Sequence, residues 1–288
     1  MTRYQVWHRT SYVYDAPVTG SYGMAWVTPR HTPGQHVVSA GVTVDPVPED
    51  TSLTRDYYGN DVRYFHVTTE HTELVVDARS QVEVTAVDVP SVALRQGWEQ
   101  CRPRLRPEAW RVTDLALESP LAEHAQIAYD YAATSLRPGR AIGDAVTELV
   151  HRLQVDFAYR PGVTSVTSTV GEVFATRAGV CQDFAHLLLA CLRSHGLAAR
   201  YVSGYLATTP PPGRARLVGA DASHAWVDVW LGEDLWLGVD PTNDTHADDR
   251  YVTVAWGRDY GDVPPVKGTV FTTAASSELT VHVDVQPL

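Results

Sequence analysis

The sequence has few cysteines, no long apolar run and no excess of positive charge, and each shortage excludes a class of protein. Its 288 residues include three cysteines, Cys101, Cys181 and Cys191. Since an odd, low number without paired spacing does not suit a disulfide framework, we expect a reducing compartment and a cytoplasmic protein. No stretch approaches the roughly 18 consecutive apolar residues of a membrane helix. Residues 1–15 contain no apolar segment of the kind found in secretory signals.

The charge balance is acidic, because 34 Asp and Glu residues face 23 Lys and Arg residues and give a formal net charge of −11. An acidic surface repels phosphate backbones and anionic lipid headgroups. We therefore predict neither nucleic acid nor a membrane surface as a partner. The length predicts two domains, at about 100–200 residues for each.

Residues 1–90 are rich in valine, threonine and aromatic residues, and several segments alternate apolar and polar side chains with a period of two. Turn signals such as Tyr58-Gly59-Asn60 separate these segments. The pattern predicts a small β-sandwich domain over residues 1–90. The histidines of this region lack metal-ligand spacing, so no metal site is expected there. The run of arginine and proline at residues 102–107 predicts a linker over residues 91–118.

Residues 119–288 mix helical and strand patterns, which predicts an α+β domain. Ser119-Pro120 indicates a helix over residues 121–135, Asp144 is expected to cap a second helix, and a short helix is expected near residues 172–176. Strands are predicted over residues 200–206, 225–231, 235–239 and 279–285. The clearest helix follows Cys181, where apolar residues recur at helical spacing and Gly196 ends the pattern. The apolar positions of this helix are Phe184, Leu187, Leu188, Cys191 and Leu192.

Cys181 stands at the start of that helix, two residues after the turn residue Gly179. Unsatisfied backbone N–H groups and the positive end of the helix dipole stabilise a thiolate there, which makes the cysteine a candidate nucleophile. The same N–H groups can bind a developing oxyanion. The alternative is a buried structural cysteine, and Cys191, in the middle of the apolar stripe, fits that alternative better than Cys181 does.

His224 and Asp240 lie at the outer ends of a predicted hairpin whose turn is Gly232-Glu233-Asp234. In an antiparallel hairpin the start of one strand lies opposite the end of the next, so the two side chains are expected to be close. A carboxylate in this position orients an imidazole that acts as a base. The alternative is two unrelated residues at strand ends, and spacing alone does not decide whether either residue meets Cys181.

Five ordered blocks of the sequence resemble those of bacterial transglutaminase-like proteins: residues 179–186, 200–205, 221–226, 240–243 and 257–263. Residues 1–90, with His8-Arg9-Thr10, resemble the amino-terminal β domain that is often fused to this core. The resemblance implies a papain-like α+β core over residues 119–288, with helices packed on an antiparallel sheet.

The resemblance also implies catalytic roles. Cys181, His224 and Asp240 occupy the positions of the family's Cys-His-Asp triad. Related enzymes place a tryptophan in the oxyanion hole, and Tyr159 is a candidate to stand in for it here. Gln182 and Asn243, in the matching blocks, are further candidates to support the site.

The implied activity is acyl transfer through a thioester on a peptide or carboxamide bond, with a peptide or protein as substrate and with no metal or organic cofactor. Hydrolysis, as in a protease or amidase, is favoured because water is always present, whereas transfer to an amine needs an acceptor site. A protein-glutamine transglutaminase is the alternative. A non-catalytic binding module, or a structural protein whose β domain docks a partner, are further alternatives. Residues 210–217 are expected to rim the cleft.

Overall fold

The computed structural model describes residues 1–103, 110–208 and 223–288. The chain begins with five strands, β1 (Thr2–Ala25), β2 (Gln35–Asp45), β3 (Asp50–Arg55), β4 (Asp61–Val67) and β5 (His71–Val84). Two short helices follow, α1 (Ser91–Arg95) and α2 (Trp110–Thr113), together with 3-10 turns at Trp98–Cys101 and Asp114–Ala116.

The middle of the chain is helical apart from two very short strands. It contains α3 (Gln126–Ala133), α4 (Ile142–Asp156), β6 (Ala158–Tyr159), α5 (Val170–Thr176), β7 (Ala178–Gly179) and α6 (Cys181–Ser194). The remaining strands are β8 (Ala199–Leu206), β9 (Ser223–Gly232), β10 (Leu235–Asp240), β11 (Thr245–His246), β12 (Tyr251–Gly257), β13 (Val266–Thr272) and β14 (Ser277–Pro287). None of the helices within the described ranges is long and apolar enough to cross a membrane.

β1 organises the first sheet, because its two halves pair with different neighbours. Residues 4–13 pair with both β5 and β14, whereas residues 21–25 pair with both β4 and β13. The seven-stranded antiparallel sheet follows the path β2-β5-β1-β4-β3, with β13 and β14 also paired to β1. Apolar side chains from both halves, such as Phe65 and Val76, share one core.

The predicted fold class is confirmed, since an antiparallel amino-terminal sheet stands beside a core of helices and sheet. Two features of the structure cross the predicted domain boundaries. β13 and β14 lie within residues 119–288 but belong to the first sheet, because an alternating pattern indicates a strand without deciding its partner. Residues 91–118 are also more than a linker, since Trp98 and Cys101 are buried in the main core.

A five-stranded antiparallel sheet, ordered β11-β10-β9-β8-β12, forms the second layer. α6 packs against β8 and β9 on one side and against α3, α4 and α5 on others, so every residue from Asp183 to Arg193 is buried. The left-handed φ of 76° at Gly196 ends the helix. The N–H groups of Gly196 and Leu197 bond back to the carbonyls of Arg193 and Leu192.

Two predicted helix starts are wrong. α3 begins at Gln126 rather than at residue 121, because Ser119 and Ala122 exchange backbone hydrogen bonds in a turn that interrupts the helical path. α4 begins at Ile142, so Asp144 lies inside the first turn instead of capping it. A carboxylate in the first turn is still stabilised by the positive end of the helix dipole, which explains why the sequence position resembles a cap.

Candidate active site

Cys181 is the first residue of α6, and its side chain is partly exposed. Asp183 secures this end of the helix, because its Oδ2 accepts the Val180 N–H at 2.7 Å and the Thr164 hydroxyl at 2.7 Å. Gly179 leaves room for that carboxylate, since a Cβ at this position would lie 2.6 Å from Asp183 Oδ2. The thiol is thus held in a fixed turn, where helix N–H groups favour negative charge.

The other two cysteines have the environment of structural residues. Cys101 and Cys191 are both fully buried, at 0% exposure. Burial raises the pKa of each thiol to about 12. Both therefore stay protonated at neutral pH, and neither can be reached from solvent. Cys181 alone among the three combines access with a position that favours the thiolate.

The hairpin of β9 and β10 brings His224 and Asp240 together. Val239 pairs with Val227, so Asp240 lies diagonally across from His224. His224 Nε2 is 2.6 Å from Asp240 Oδ2. Cys181 lines the same cleft as this imidazole. Because Nε2 is occupied by the carboxylate, Nδ1 is the ring nitrogen left for the thiol.

The electrostatics of this trio favour an ion pair. Burial lowers the pKa of His224, but hydrogen bonds and charge from Asp240 and Cys181 outweigh it and raise the pKa to about 10. The imidazole is therefore protonated at neutral pH. A protonated imidazole beside the thiol is the partner that a thiolate requires.

Asp240 is fully buried, at 0% exposure, and its carboxylate accepts several hydrogen bonds. Oδ1 accepts the backbone N–H groups of Thr242 at 2.9 Å and Asn243 at 3.2 Å. Oδ2 accepts the Asn243 side-chain amide at 2.7 Å and the Tyr251 hydroxyl at 2.8 Å, besides His224. Burial raises the pKa of Asp240, but these donors outweigh it and lower the pKa below its usual value. The carboxylate therefore stays ionised and fixed behind the imidazole.

Cys181 and His224 open into a cleft of about 260 Å³. One wall of the cleft comes from the first sheet, through His8, Thr10, Tyr12, Val266, Leu279 and Val281. His8 anchors this wall to the second sheet, because its Nδ1 lies 2.8 Å from the Tyr205 hydroxyl and its Nε2 lies 2.9 Å from Thr10 Oγ1. The amino-terminal sheet is therefore part of the candidate site rather than a separate appendage.

A larger groove of about 680 Å³ lies on the sheet face that carries Trp236. Its most polar feature is Arg200, which lies between the rings of Trp236 and Trp256 and binds Asp228 at 2.8 Å. That charge is already paired. Among the described residues, the buried polar atoms without a partner lie outside this groove. The cleft at Cys181 is thus the better candidate for chemistry.

The remaining predicted site residues lie at different distances from Cys181, His224 and Asp240. Asn243 contacts both Asp240 and the His224 ring, the latter with 3.5 Å between Nδ2 and Nε2. Gln182 lines the cleft, but its amide donates to the Val166 carbonyl at 3.1 Å. Tyr159 lies on β6 and is 56% exposed. Burial raises the pKa of Tyr159, and the negative charge of Cys181 raises it further, so the two side chains lie near each other. Residues 210–217, expected to rim the cleft, fall outside the described residues.

Sequence reasoning missed three residues that support the site. Asp183 could have been found, because an acidic residue two positions after the first helical residue is a common capping arrangement. His8 and Tyr251 give no local signal, because each reaches the site from a distant part of the chain. Only the packing of the two sheets and of β12 on β8 brings them in.

Comparison with known proteins agrees with this fold. The model of the transglutaminase-like superfamily matches residues 126–241, and the model of the bacterial transglutaminase-like amino-terminal region matches residues 4–83. The chain belongs to the transglutaminase-like superfamily. Within that superfamily it has the bacterial arrangement, in which the amino-terminal β region precedes the core.

Individual relatives cover the chain to different extents. An uncharacterised protein of Mycobacterium tuberculosis is 46% identical over 292 residues, spanning 99% of this chain and 93% of that protein. A protein-glutamine gamma-glutamyltransferase of Pseudomonas aeruginosa is 37% identical over 115 residues, 38% of this chain and 17% of that protein. A proposed cysteine protease from Cytophaga hutchinsonii has a TM-score of 0.75 at 19% identity, covering 100% of this chain and 91% of that one, which shows a shared fold.

Proposed function

We propose that the protein is a cysteine-nucleophile acyl-transfer enzyme that acts on peptide or carboxamide bonds, with Cys181, His224 and Asp240 as its triad. One observation supports this above all: an imidazole that is hydrogen-bonded to a buried carboxylate shares a cleft with a partly exposed thiol at a helix start. Nucleophile, base and orienting group in this arrangement form the standard apparatus of covalent acyl transfer.

In the first half of the reaction, the Cys181 thiolate attacks the carbonyl carbon. The protonated His224 gives its proton to the departing amine or ammonia, and a thioester remains on the sulfur. Backbone N–H groups at the start of α6 stabilise the oxyanion, and Tyr159 and Gln182 are candidate side chains nearby. Asn243 supports the pair formed by His224 and Asp240.

In the second half, His224 must act as a base. Cys181 is one of the two groups that raise the His224 pKa. When the sulfur becomes a neutral thioester, its charge is lost, so the His224 pKa falls and the imidazole can accept a proton from the attacking water or amine. One residue thus serves as acid and then as base, without a separate proton carrier.

Hydrolysis is the favoured outcome, which makes the protein a protease or amidase. The thiol lies in an open cleft that water can enter. Transfer to an amine is the second candidate, since the chain is 37% identical over 115 residues to a protein named as a protein-glutamine gamma-glutamyltransferase. We further propose a cytoplasmic location, on the basis of the cysteine number.

The first test is selective alkylation. Iodoacetamide near neutral pH should label Cys181 rapidly in the folded protein, and should label Cys101 and Cys191 only after denaturation, because those thiols are buried. Peptide mapping by mass spectrometry identifies the modified residue. Cys181→Ala is the control. Labelling of Cys181 no faster than that of an ordinary thiol would favour a non-catalytic binding module.

The second test is activity profiling. Wild type and Cys181→Ala are incubated with a peptide library, with and without a labelled primary amine. New amino termini or glutamine-to-glutamate conversion that depend on Cys181 indicate hydrolysis. Amine incorporation that depends on Cys181 indicates a transglutaminase. If the two proteins gave identical products, the proposed activity would be wrong.

A further inference from the structure

Tyr201, in the middle of β8, has a hydroxyl that the steps above do not use. Its side chain is only 3% exposed and lines the cleft with Cys181 and His224. The hydroxyl makes no hydrogen bond to another described residue and is not fully shielded from solvent, so it reaches the space of the cleft. A hydroxyl in this position can donate a hydrogen bond to a group that enters with the substrate.

The Tyr201 ring is held firmly. The His186 ring packs against it with a centroid distance of 5.3 Å, and the Tyr260 ring meets it edge-on at 6.4 Å. His186 and Tyr260 are themselves joined, since the Tyr260 N–H donates to His186 Nε2 at 3.2 Å. A donor fixed before the substrate arrives needs no reorganisation during the reaction, which is the property that makes oxyanion holes effective.

Tyr201 also lies close to the nucleophile. Burial raises the pKa of Tyr201 well above its usual value, and the negative charge of Cys181 is the next contribution. The phenol therefore keeps its proton and remains a donor. The neighbouring buried tyrosine on the same strand face, Tyr205, cannot share this role, because its hydroxyl is engaged with His8 at 2.8 Å.

We propose that the Tyr201 hydroxyl donates a hydrogen bond to the oxyanion that forms when Cys181 attacks a carbonyl, together with the backbone N–H groups at the start of α6. Tyr201 then replaces the more exposed Tyr159 as the principal side chain of the oxyanion hole. The hydrogen bond stabilises the tetrahedral intermediate and leaves the proton on the phenol. The inference rests on the proposed acyl-transfer function and assigns a further catalytic residue to it.

The test compares two reactions of the same sulfur. Acylation by p-nitrophenyl acetate passes through a tetrahedral oxyanion, whereas alkylation by iodoacetamide displaces iodide and forms no oxyanion. Rates of both are measured for wild type, Tyr201→Phe and Tyr159→Phe. Tyr14→Phe, at a buried tyrosine in the core of the first sheet, is the matched control. Cys181→Ala supplies the background for both reagents.

Tyr201→Phe should slow acylation by about 100-fold, the typical effect of removing one oxyanion donor, and leave the alkylation rate within about twofold. It should also unfold near the wild-type temperature, since the substitution breaks no hydrogen bond to a described residue. Equal losses in both reactions would show that Tyr201 acts on the thiolate instead. An unchanged acylation rate, or a larger loss in Tyr159→Phe, would also overturn the inference.

The same experiment separates this inference from the proposed function. If wild type and Cys181→Ala were acylated at equal rates, the acyl-transfer function would fail, and the role of Tyr201 with it. If wild type were acylated through Cys181 but Tyr201→Phe matched it, only the role of Tyr201 would fail.

Discussion

Asp240→Asn is the substitution that tests the proposed triad most sharply. Asparagine keeps the shape of the side chain, and its oxygen can still accept the backbone N–H groups of Thr242 and Asn243 that now bond to Oδ1. An N–H group would replace Oδ2, which now accepts from His224, Tyr251 and the Asn243 side chain. Nε2 of His224 would then have to accept that hydrogen bond, so the ring proton would move to Nδ1. Alanine is a poorer probe, because it would leave these buried donors unpaired.

The tautomer change should be costly for turnover. An Nδ1–H pointing at the thiol cannot take its proton, and the same loss of orientation in serine-type triads lowers turnover by about 10⁴-fold. A loss of similar size is expected in acylation of Cys181. Tyr251→Phe is the matched control, because it removes one neutral donor from Asp240 and keeps the carboxylate charge. Its loss should be much smaller.

The substitution should also change how stability depends on pH. The His224 pKa of about 10 exceeds the ordinary value of 6.5. A difference of about 3.5 pKa units corresponds to about 5 kcal/mol in favour of the folded imidazolium, a contribution that Asp240 and Cys181 share. Because the folded pKa is raised, this contribution is complete below pH 6.5 and is lost as the pH rises to 10. Asp240→Asn should flatten that decline.

Two measurements check these expectations. Stopped-flow acylation with p-nitrophenyl acetate gives the rate, and urea unfolding between pH 6 and 10 gives the stability curve. An Asp240→Asn rate within about tenfold of wild type would refute the orienting role. A wild-type free energy of unfolding that does not decline above neutral pH would refute the ion pair.

Two further predictions concern the scaffold. Gly179→Ala should displace the Asp183 carboxylate and lower the free energy of unfolding in urea by about 1–2 kcal/mol, which is the usual cost of a lost cap. Gly171→Ala is the control, because a Cβ at that position meets nothing within 4 Å. It should be neutral or stabilising. Equal effects at the two glycines would contradict the packing argument. Burial lowers the pKa of both His8 and His186 to about 4. The contribution of these two neutral histidines to the free energy of unfolding should therefore be complete above pH 6.5. It should fall as the pH drops to 4, because the unfolded histidines bind protons first. Urea midpoints that stay constant over this pH range would contradict this prediction.

Local patterns in the sequence were sufficient for the features that depend on neighbouring residues. The helix after Cys181 was predicted because its apolar spacing and terminal glycine are local signals. The closeness of His224 and Asp240 was predicted because a hairpin links its strand ends through one short turn. The start of α3 was wrong for the opposite reason: the turn at Ser119 and Ala122 competes with a local signal that by itself favours a helix.

The first sheet shows what local patterns could not decide. Alternation predicted a strand near residues 279–285, yet nothing in those residues states that they pair with β1, more than 250 positions earlier in the chain. Register and partner depend on which faces can be buried together, and that is a property of the whole fold. The wall of the cleft formed by β1 and β14 follows from this pairing and was not foreseen.

The sequence by itself determined the family, the α+β class, and the identity of a thiol, an imidazole and a carboxylate as the candidate reactive groups, because motif order and strand or helix periodicity are written along the chain. Only the tertiary structure decided that the imidazole bound to Asp240 shares a cleft with the thiol, that the amino-terminal sheet forms a wall of this cleft, and that Tyr201 lines it as well. These facts concern distances between residues far apart in the chain, and such distances are set by packing rather than by local pattern.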